Sequence, residues 1–151
     1  MAQNLDMPSD ERAIENLIAR YSFLVDDGDF DGLGELLAAC ALTLGPGPAV
    51  RGRAAIAQLA RAALMTYDDG TPRTRHVTTN VLIEIDGSGT AADSRSYYTV
   101  LQSLPDFPLQ PIATGTYSDR FEKRDGRWLF VERSVQTRFA GDTSRHRRPA
   151  P

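Results

Sequence analysis

A chain of 151 residues with 41% hydrophobic and 25% charged residues suits one globular domain with its own core, and excludes a disordered or fibrous protein. The net charge of −3 gives a polyanion no general attraction, and the single cysteine, Cys40, excludes an internal disulfide and a cysteine-based metal cluster. No apolar run approaches the roughly 20 residues of a bilayer span, and the polar, acidic start lacks the basic and apolar regions of a secretory signal. The expectation is a cytoplasmic protein that binds neither nucleic acid nor membrane.

Ser9 stands where a helix N-cap belongs, with Asp10 and Glu11 in the first turn, where negative charge favours the helix dipole. From there Ile14, Leu17, Ile18, Tyr21, Leu24 and Val25 recur at threes and fours, which predicts an amphipathic helix ending at Gly28. Asp29 caps a second, short helix with Phe30, Leu33, Leu36 and Leu37 on its apolar side, weakened by Gly32 and Gly34. A short strand over 39–44, a Gly45-Pro46-Gly47-Pro48 turn and a third helix over 53–67 follow. Four strand-like segments complete the pattern, at 76–85, 90–102, 112–123 and 127–139. Asp86-Gly87-Ser88-Gly89 and Arg124-Asp125-Gly126 are turns, and the proline-rich stretch 103–111 reads as a longer loop at the rim of a pocket or subunit contact.

Helices grouped ahead of an antiparallel meander predict an α+β fold, with helices covering one face of a curved sheet. The domain is expected over 9–139, after a flexible stretch at 1–8. A basic tail at 140–151 has no apolar pattern to hold it, and is expected to be disordered. Strands with apolar residues on both faces, as in 90–101, predict a homodimer or higher homo-oligomer packed through the sheet.

The chain has two histidines, His76 on the first long strand and His146 in the tail. His76 is therefore the candidate proton carrier near neutral pH, although on residue type alone a lone strand histidine is more often structural. Its strand face holds Thr78, Asn80, Leu82 and Glu84, less aliphatic than the face with Val77, Val81, Ile83 and Ile85. Either the pocket is semi-polar there or a bulge near Thr78-Thr79 turns the strand. Asp26 ends an apolar helix, where a carboxylate opposes the dipole and calls for a compensating partner; Asp27 could equally be the inward one. Arg133 shares parity with Leu129, Val131 and Val135, so its guanidinium demands Asp119, Asp26 or a ligand oxygen. Tyr98 and Tyr117 line core or pocket, and Trp128 is core. One structured histidine and scattered carboxylates do not make a metal-ligand set, and no glycine-rich phosphate cradle follows a strand, so no cofactor is expected.

Several stretches resemble the SnoaL-like proteins of the superfamily built on the cone-shaped α+β barrel of nuclear transport factor two. They are Ile18-Ala19-Arg20-Tyr21-Ser22-Phe23-Leu24-Val25-Asp26-Asp27-Gly28-Asp29-Phe30-Asp31, Val50-Arg51-Gly52-Arg53-Ala54-Ala55-Ile56, Arg75-His76-Val77-Thr78-Thr79-Asn80, Gly115-Thr116-Tyr117-Ser118-Asp119-Arg120-Phe121 and Asp125-Gly126-Arg127-Trp128. Members include scytalone dehydratase, bile acid dehydratase, the hexachlorocyclohexane dehydrochlorinase and, more distantly, ketosteroid isomerase. By position, the resemblance implies an Asp26–His76 pair, a helix-one tyrosine at Tyr21 as in the bile acid enzyme, and a cationic residue at Arg133. The second pocket histidine of scytalone dehydratase has no expected counterpart. Tyr98, Tyr117 and Asn80 are the candidate substrate-binding residues.

The function implied is a cofactor-free acid–base lyase or isomerase, dehydratase-like, acting on a hydrophobic polycyclic or aromatic small molecule in an apolar pocket. Two alternatives stay open: a SnoaL-like polyketide cyclase, and a non-catalytic ligand-binding protein comparable to the β-subunits of ring-hydroxylating dioxygenases.

Overall fold

The computed structural model describes residues 6–150. In chain order the elements are α1 (Asp10–Asp26), α2 (Phe30–Leu36), β1 (Ala41–Leu44), β2 (Val50–Arg51), α3 (Arg53–Ala63), β3 (Thr74–Ile85), β4 (Ala91–Leu104), β5 (Phe107–Arg124) and β6 (Arg127–Ala140). The strands form one six-stranded sheet in the order β2-β1-β6-β5-β4-β3. β1 runs parallel to β6 and the other neighbours pair antiparallel. The sheet curls around the helices without closing, because β2 and β3 remain as its two edges. The architecture is the expected α+β one, three helices packed on a strongly curved, mixed sheet.

Local chemistry explains most of the elements. Ser9 caps α1 by accepting the Arg12 N–H at 3.2 Å, and the buried side of the helix is Ile14, Leu17, Ile18, Tyr21 and Val25. Asp29 caps α2 by accepting the Gly32 N–H at 2.8 Å. Along β4 every second residue from Ala92 to Leu104 is buried, so one face of the strand meets the helices and the other does not. Ile14, Leu37, Ile56, Ile112, Phe121 and Phe130 form the fully enclosed centre of the core between helices and sheet. Each such side chain contributes about 1.5–3 kcal/mol of transfer free energy.

Three expectations need correction. The proline-rich stretch is no long loop: β5 begins at Phe107, which pairs with Leu104 across a tight turn and is buried. Pro108 and Pro111 are tolerated because β6 does not pair with β5 until Ala113, so the missing N–H groups face an unpartnered edge. α3 stops at Ala63 instead of continuing to residue 67, and Leu64 is extended.

The reason for that early stop is the third correction, the basic tail. Far from being loose, it docks antiparallel on the end of α3 through a bridge between Leu64 and Arg147. Main-chain bonds from Met65 N–H to the His146 carbonyl and from Arg148 N–H to the Ala63 carbonyl, both 2.8 Å, hold it there. Of the N-terminal stretch expected to be flexible, residues 1–5 lie outside the described part, and residues 6–8 are exposed coil.

Candidate active site

The end of α1 is held by a close approach. Gly28 adopts a φ of +69°, and a Cβ there would lie 2.2 Å from the Gly70 carbonyl oxygen, so only glycine fits this turn. The residue before the turn, Asp26, is buried, whereas Asp27 is exposed. The Asp26 carboxylate meets the start of β3. Its Oδ1 accepts the Thr74 hydroxyl at 2.8 Å and lies 2.6 Å from His76 Nδ1, while Oδ2 accepts the His76 backbone N–H at 2.8 Å. These donors offset the unfavourable end of the helix dipole and the loss of water. Against a carboxylate, Nδ1 carries the hydrogen, so Nε2 keeps its lone pair. The His76 side chain is 9% exposed and that of Asp26 is 7% exposed, a pair withdrawn from bulk solvent.

A bulge resolves the parity of β3. The register with β4 shifts between Thr79 and Leu82, and Asn80 sits in the left-handed region at φ 55°. His76 and Thr78 therefore face the helices ahead of the bulge, and Ile83 and Ile85 do so after it. The same bulge moves Asn80 away from the dyad: it is exposed, and with Leu82, Arg95, Ser96 and Tyr97 it lines a hollow on the sheet's outer face. Asn80, a candidate substrate-binding residue from the sequence, therefore lines a different hollow from the one that His76 would face.

Tyr21, Tyr98, Tyr117 and Arg133 form a second buried cluster. Arg133 Nε and Nη2 donate to Asp119 Oδ1 and Oδ2 at 2.7 and 2.8 Å, with both side chains fully enclosed. The anionic partner demanded by the sequence is thus Asp119, and a direct substrate contact is left only to Nη1, which has no partner among the described residues. The guanidinium carbon lies 4.1 Å from the Tyr21 ring centre and 3.9 Å from that of Tyr117. Burial works against the arginine's charge, but Asp119 outweighs it and raises the arginine's already high pKa. Burial also pushes the Tyr21 phenol up against the opposing pull of Arg133, and pushes Tyr117 well up, so both remain hydroxyl donors. Tyr98 stacks on Tyr117 with ring centres 4.6 Å apart and bonds Thr137 Oγ1 at 2.9 Å. Gly115 makes this possible, since a Cβ there would lie 2.7 Å from the Tyr98 hydroxyl. No direct hydrogen bond joins this cluster to Asp26 or His76 among the described residues. The row predicted on β6 shifts as well: Trp128 and Phe130 face inward and Leu129 does not, because the register slips opposite Arg120 and Phe121.

The residue that sequence reasoning missed is His146. It is 6% exposed, its ring centre lies 6.2 Å from that of His76, and its Nδ1 is buried with no partner among the described residues. Burial, reinforced by His76 and Arg147, pushes its pKa down to about 4. Nothing in the local sequence marks it: the segment has no apolar period, and main-chain bonds and polar side chains hold it.

Neither of the large hollows is lined by Asp26, His76 or His146. One of about 610 Å³ is lined by Arg51, Asp93, Arg120 and Glu132 together with Asp119 and Arg133, and one of about 570 Å³ by Arg95, Tyr97, Arg138 and Phe139 among others. Among the described residues no group of His, Cys, Asp and Glu is arranged to hold a metal ion, and no helix is long and apolar enough to cross a membrane.

A family model described as a SnoaL-like domain matches residues 7–134. No curated protein is detectably similar in sequence. Among solved structures, the fold is similar to that of Rv3472, a Mycobacterium tuberculosis protein of unknown function, at 28% identity, covering 85% of this chain and 76% of that one with a TM-score of 0.69. It is similar to a putative scytalone dehydratase from Novosphingobium aromaticivorans at 26% identity, covering 87% and 86% with a TM-score of 0.68. A third neighbour is ActVI-ORFA from Streptomyces coelicolor, 18% identical over 84% of this chain and 96% of that one, with a TM-score of 0.68.

Proposed function

Given that the chain belongs to the SnoaL-like domain family, we propose that it is a cofactor-free acid–base lyase or isomerase, dehydratase-like, for a hydrophobic polycyclic or aromatic small molecule. The observation that carries this reading is the buried Asp26 carboxylate at 2.6 Å from His76 Nδ1. A second bond, from the His76 main-chain N–H to the same carboxylate at 2.8 Å, ties the ring's orientation to the strand itself. An imidazole held so presents Nε2 as a base, and the carboxylate stabilises the imidazolium formed when it takes a proton.

In this reading Nε2 removes a proton from carbon next to a carbonyl. The C–H pair becomes an enolate, or in an elimination forms the new double bond while the leaving group departs with its own pair. The imidazolium then returns its proton to the departing hydroxide, as water, or to another carbon of the substrate. Tyr21, kept protonated by burial, is the candidate donor to the developing oxyanion, and the unpaired Nη1 of Arg133 supports it from behind. Tyr98 and Tyr117 would contribute aromatic surface to the substrate.

Proton exchange tests this without the natural substrate. Wild-type protein in heavy water is expected to exchange the α-protons of α-tetralone, a bicyclic aryl ketone, above the buffer rate, as followed by proton NMR. His76→Ala should return exchange to the buffer rate, and Asp26→Asn should lower it by roughly 10²–10⁴-fold. Wild-type protein that binds the ketone without exchanging it would favour the ligand-binding alternative.

A further inference from the structure

The C-terminal segment is fastened from several directions. Gly141 N–H bonds the Ile112 carbonyl at 2.8 Å as the chain leaves β6, and His146 and Arg147 N–H groups turn back on the Thr143 carbonyl at 3.0 and 3.1 Å. The Arg145 carbonyl accepts the fully buried Gln102 Nε2 at 3.0 Å and also the Tyr67 hydroxyl, while the Arg145 guanidinium pairs with Asp106. On the far side, Arg148 Nε donates to the Leu64 carbonyl at 2.9 Å. Between these pinned residues the His146 side chain lies inward, its ring centre 6.2 Å from that of His76.

The inward side chain brings an unused polar atom. His146 is more than nine-tenths buried, yet its Nδ1 has no partner among the described residues. A buried nitrogen in that state costs stability unless a water or ligand atom completes it, and its place beside His76 makes a ligand atom the partner to test. The charged and titratable groups around it are His76 on β3, Asp26 at the end of α1 and Arg147 beside it. A second cation beside the imidazolium that forms when His76 takes a proton is disfavoured, so the ring at 146 serves as a neutral imidazole.

We propose that His146 is a second catalytic imidazole of this site, whose neutral Nδ1–H donates to the carbonyl oxygen of the substrate while His76 Nε2 takes the proton from the neighbouring carbon. This rests on the proposed acid–base function and narrows its substrate class to ring ketones and their hydroxylated relatives, molecules with an oxygen next to the acidic carbon. The step balances: the C–H pair moves into the carbon–carbon bond, the carbonyl pair moves onto oxygen, and the enolate oxygen is held by a donor that does not itself lose its proton. A neutral imidazole suits this work, because its hydrogen bond strengthens as charge grows on the oxygen and adds no second cation beside a forming imidazolium. The C-terminal segment is then a wall of the site and not a tail.

The test pairs α-tetralone with tetralin, the same ring system without the oxygen, on the full chain carrying His146→Phe or His146→Gln. Binding is read from the ring resonances of His76, the histidine that the wild type and both variants share, and exchange from the ketone's α-protons. Wild-type protein is expected to bind the ketone about five- to tenfold more tightly than tetralin, and His146→Phe to erase that preference while tetralin binding persists. Exchange should fall by roughly 10²-fold in kcat in His146→Phe, with part restored in His146→Gln, whose amide is also a neutral donor. An unchanged ketone preference and exchange rate in His146→Phe would overturn the proposal and leave the His76 reading standing. A ketone preference lost in His146→Phe, in a wild type that exchanges nothing, would overturn the acid–base reading and with it the catalytic role of His146, leaving the residue a binding contact. Failure of either compound to shift the histidine resonances of the wild type would overturn both.

Discussion

At the scale of single residues, Arg133 shows how a correct physical demand can have more than one answer. A guanidinium in an aliphatic row needs an anion, and the fold meets that need with Asp119 in two-pronged geometry, enclosed by Tyr21 and Tyr117. The pair's net worth is modest, because two charges lost their water to make it, but half of it is worse than none. Asp119→Asn is expected to destabilise the protein by about 3–5 kcal/mol, since it leaves a buried cation uncompensated. Asp119→Leu combined with Arg133→Met should recover most of the loss, to within about 1–2 kcal/mol of wild type. Urea unfolding of the two variants checks this, and a single variant as stable as the double one would contradict it.

Among the elements, the segment after β6 departs furthest from its expected behaviour, and its seat is sensitive to pH. His146 is buried as a neutral ring with its pKa pushed down to about 4 from the ordinary 6.5. The folded protein therefore binds less proton than the unfolded chain between those values, and the stabilising effect is complete above pH 6.5. It is lost as the pH falls toward 4, by about 3 kcal/mol at most. Wild type and His146→Gln should accordingly differ in the steepness of their stability loss between pH 7 and 4.5, with the wild type the steeper. Equal slopes in paired denaturant titrations would argue against the buried neutral ring. Amide hydrogen exchange should show Met65 and Arg148, whose N–H groups close the bridge to α3, losing protection together as the pH is lowered.

For the whole molecule, the outer face of the sheet is the surface the helices cannot reach. Val77, Leu82, Tyr97 and Phe139 are all exposed there, beside hollows edged by Arg95 and Arg138. An apolar face of that kind on an open sheet is expected to pair with a second copy. Sedimentation velocity at micromolar concentration should find a dimer or larger assembly, and Leu82→Glu with Tyr97→Glu should shift it toward monomer. A wild-type monomer at that concentration would contradict the expectation.

Much of this was legible in the sequence because it is local and periodic. The heptad-like spacing from Ile14 to Val25 specifies α1, alternation specifies β4, and the Ser9 and Asp29 caps mark where helices begin. The Asp26–His76 partnership was also readable, from a carboxylate set against a helix dipole, a single histidine in the patterned region and the resemblance to SnoaL-like proteins. Which of Asp26 and Asp27 turns inward, the bulge that carries Asn80 to the outer face, and the choice of Asp119 for Arg133 were decided only in three dimensions. Each depends on a register or a rotation that side-chain type leaves open. The position of His146 lay furthest from the sequence, because main-chain bonds to Ala63 and Met65 and the reach of Gln102 hold its segment. Contacts of that kind have no sequence period, since every residue carries the same backbone donor and acceptor, and only the folded chain selects which ones meet.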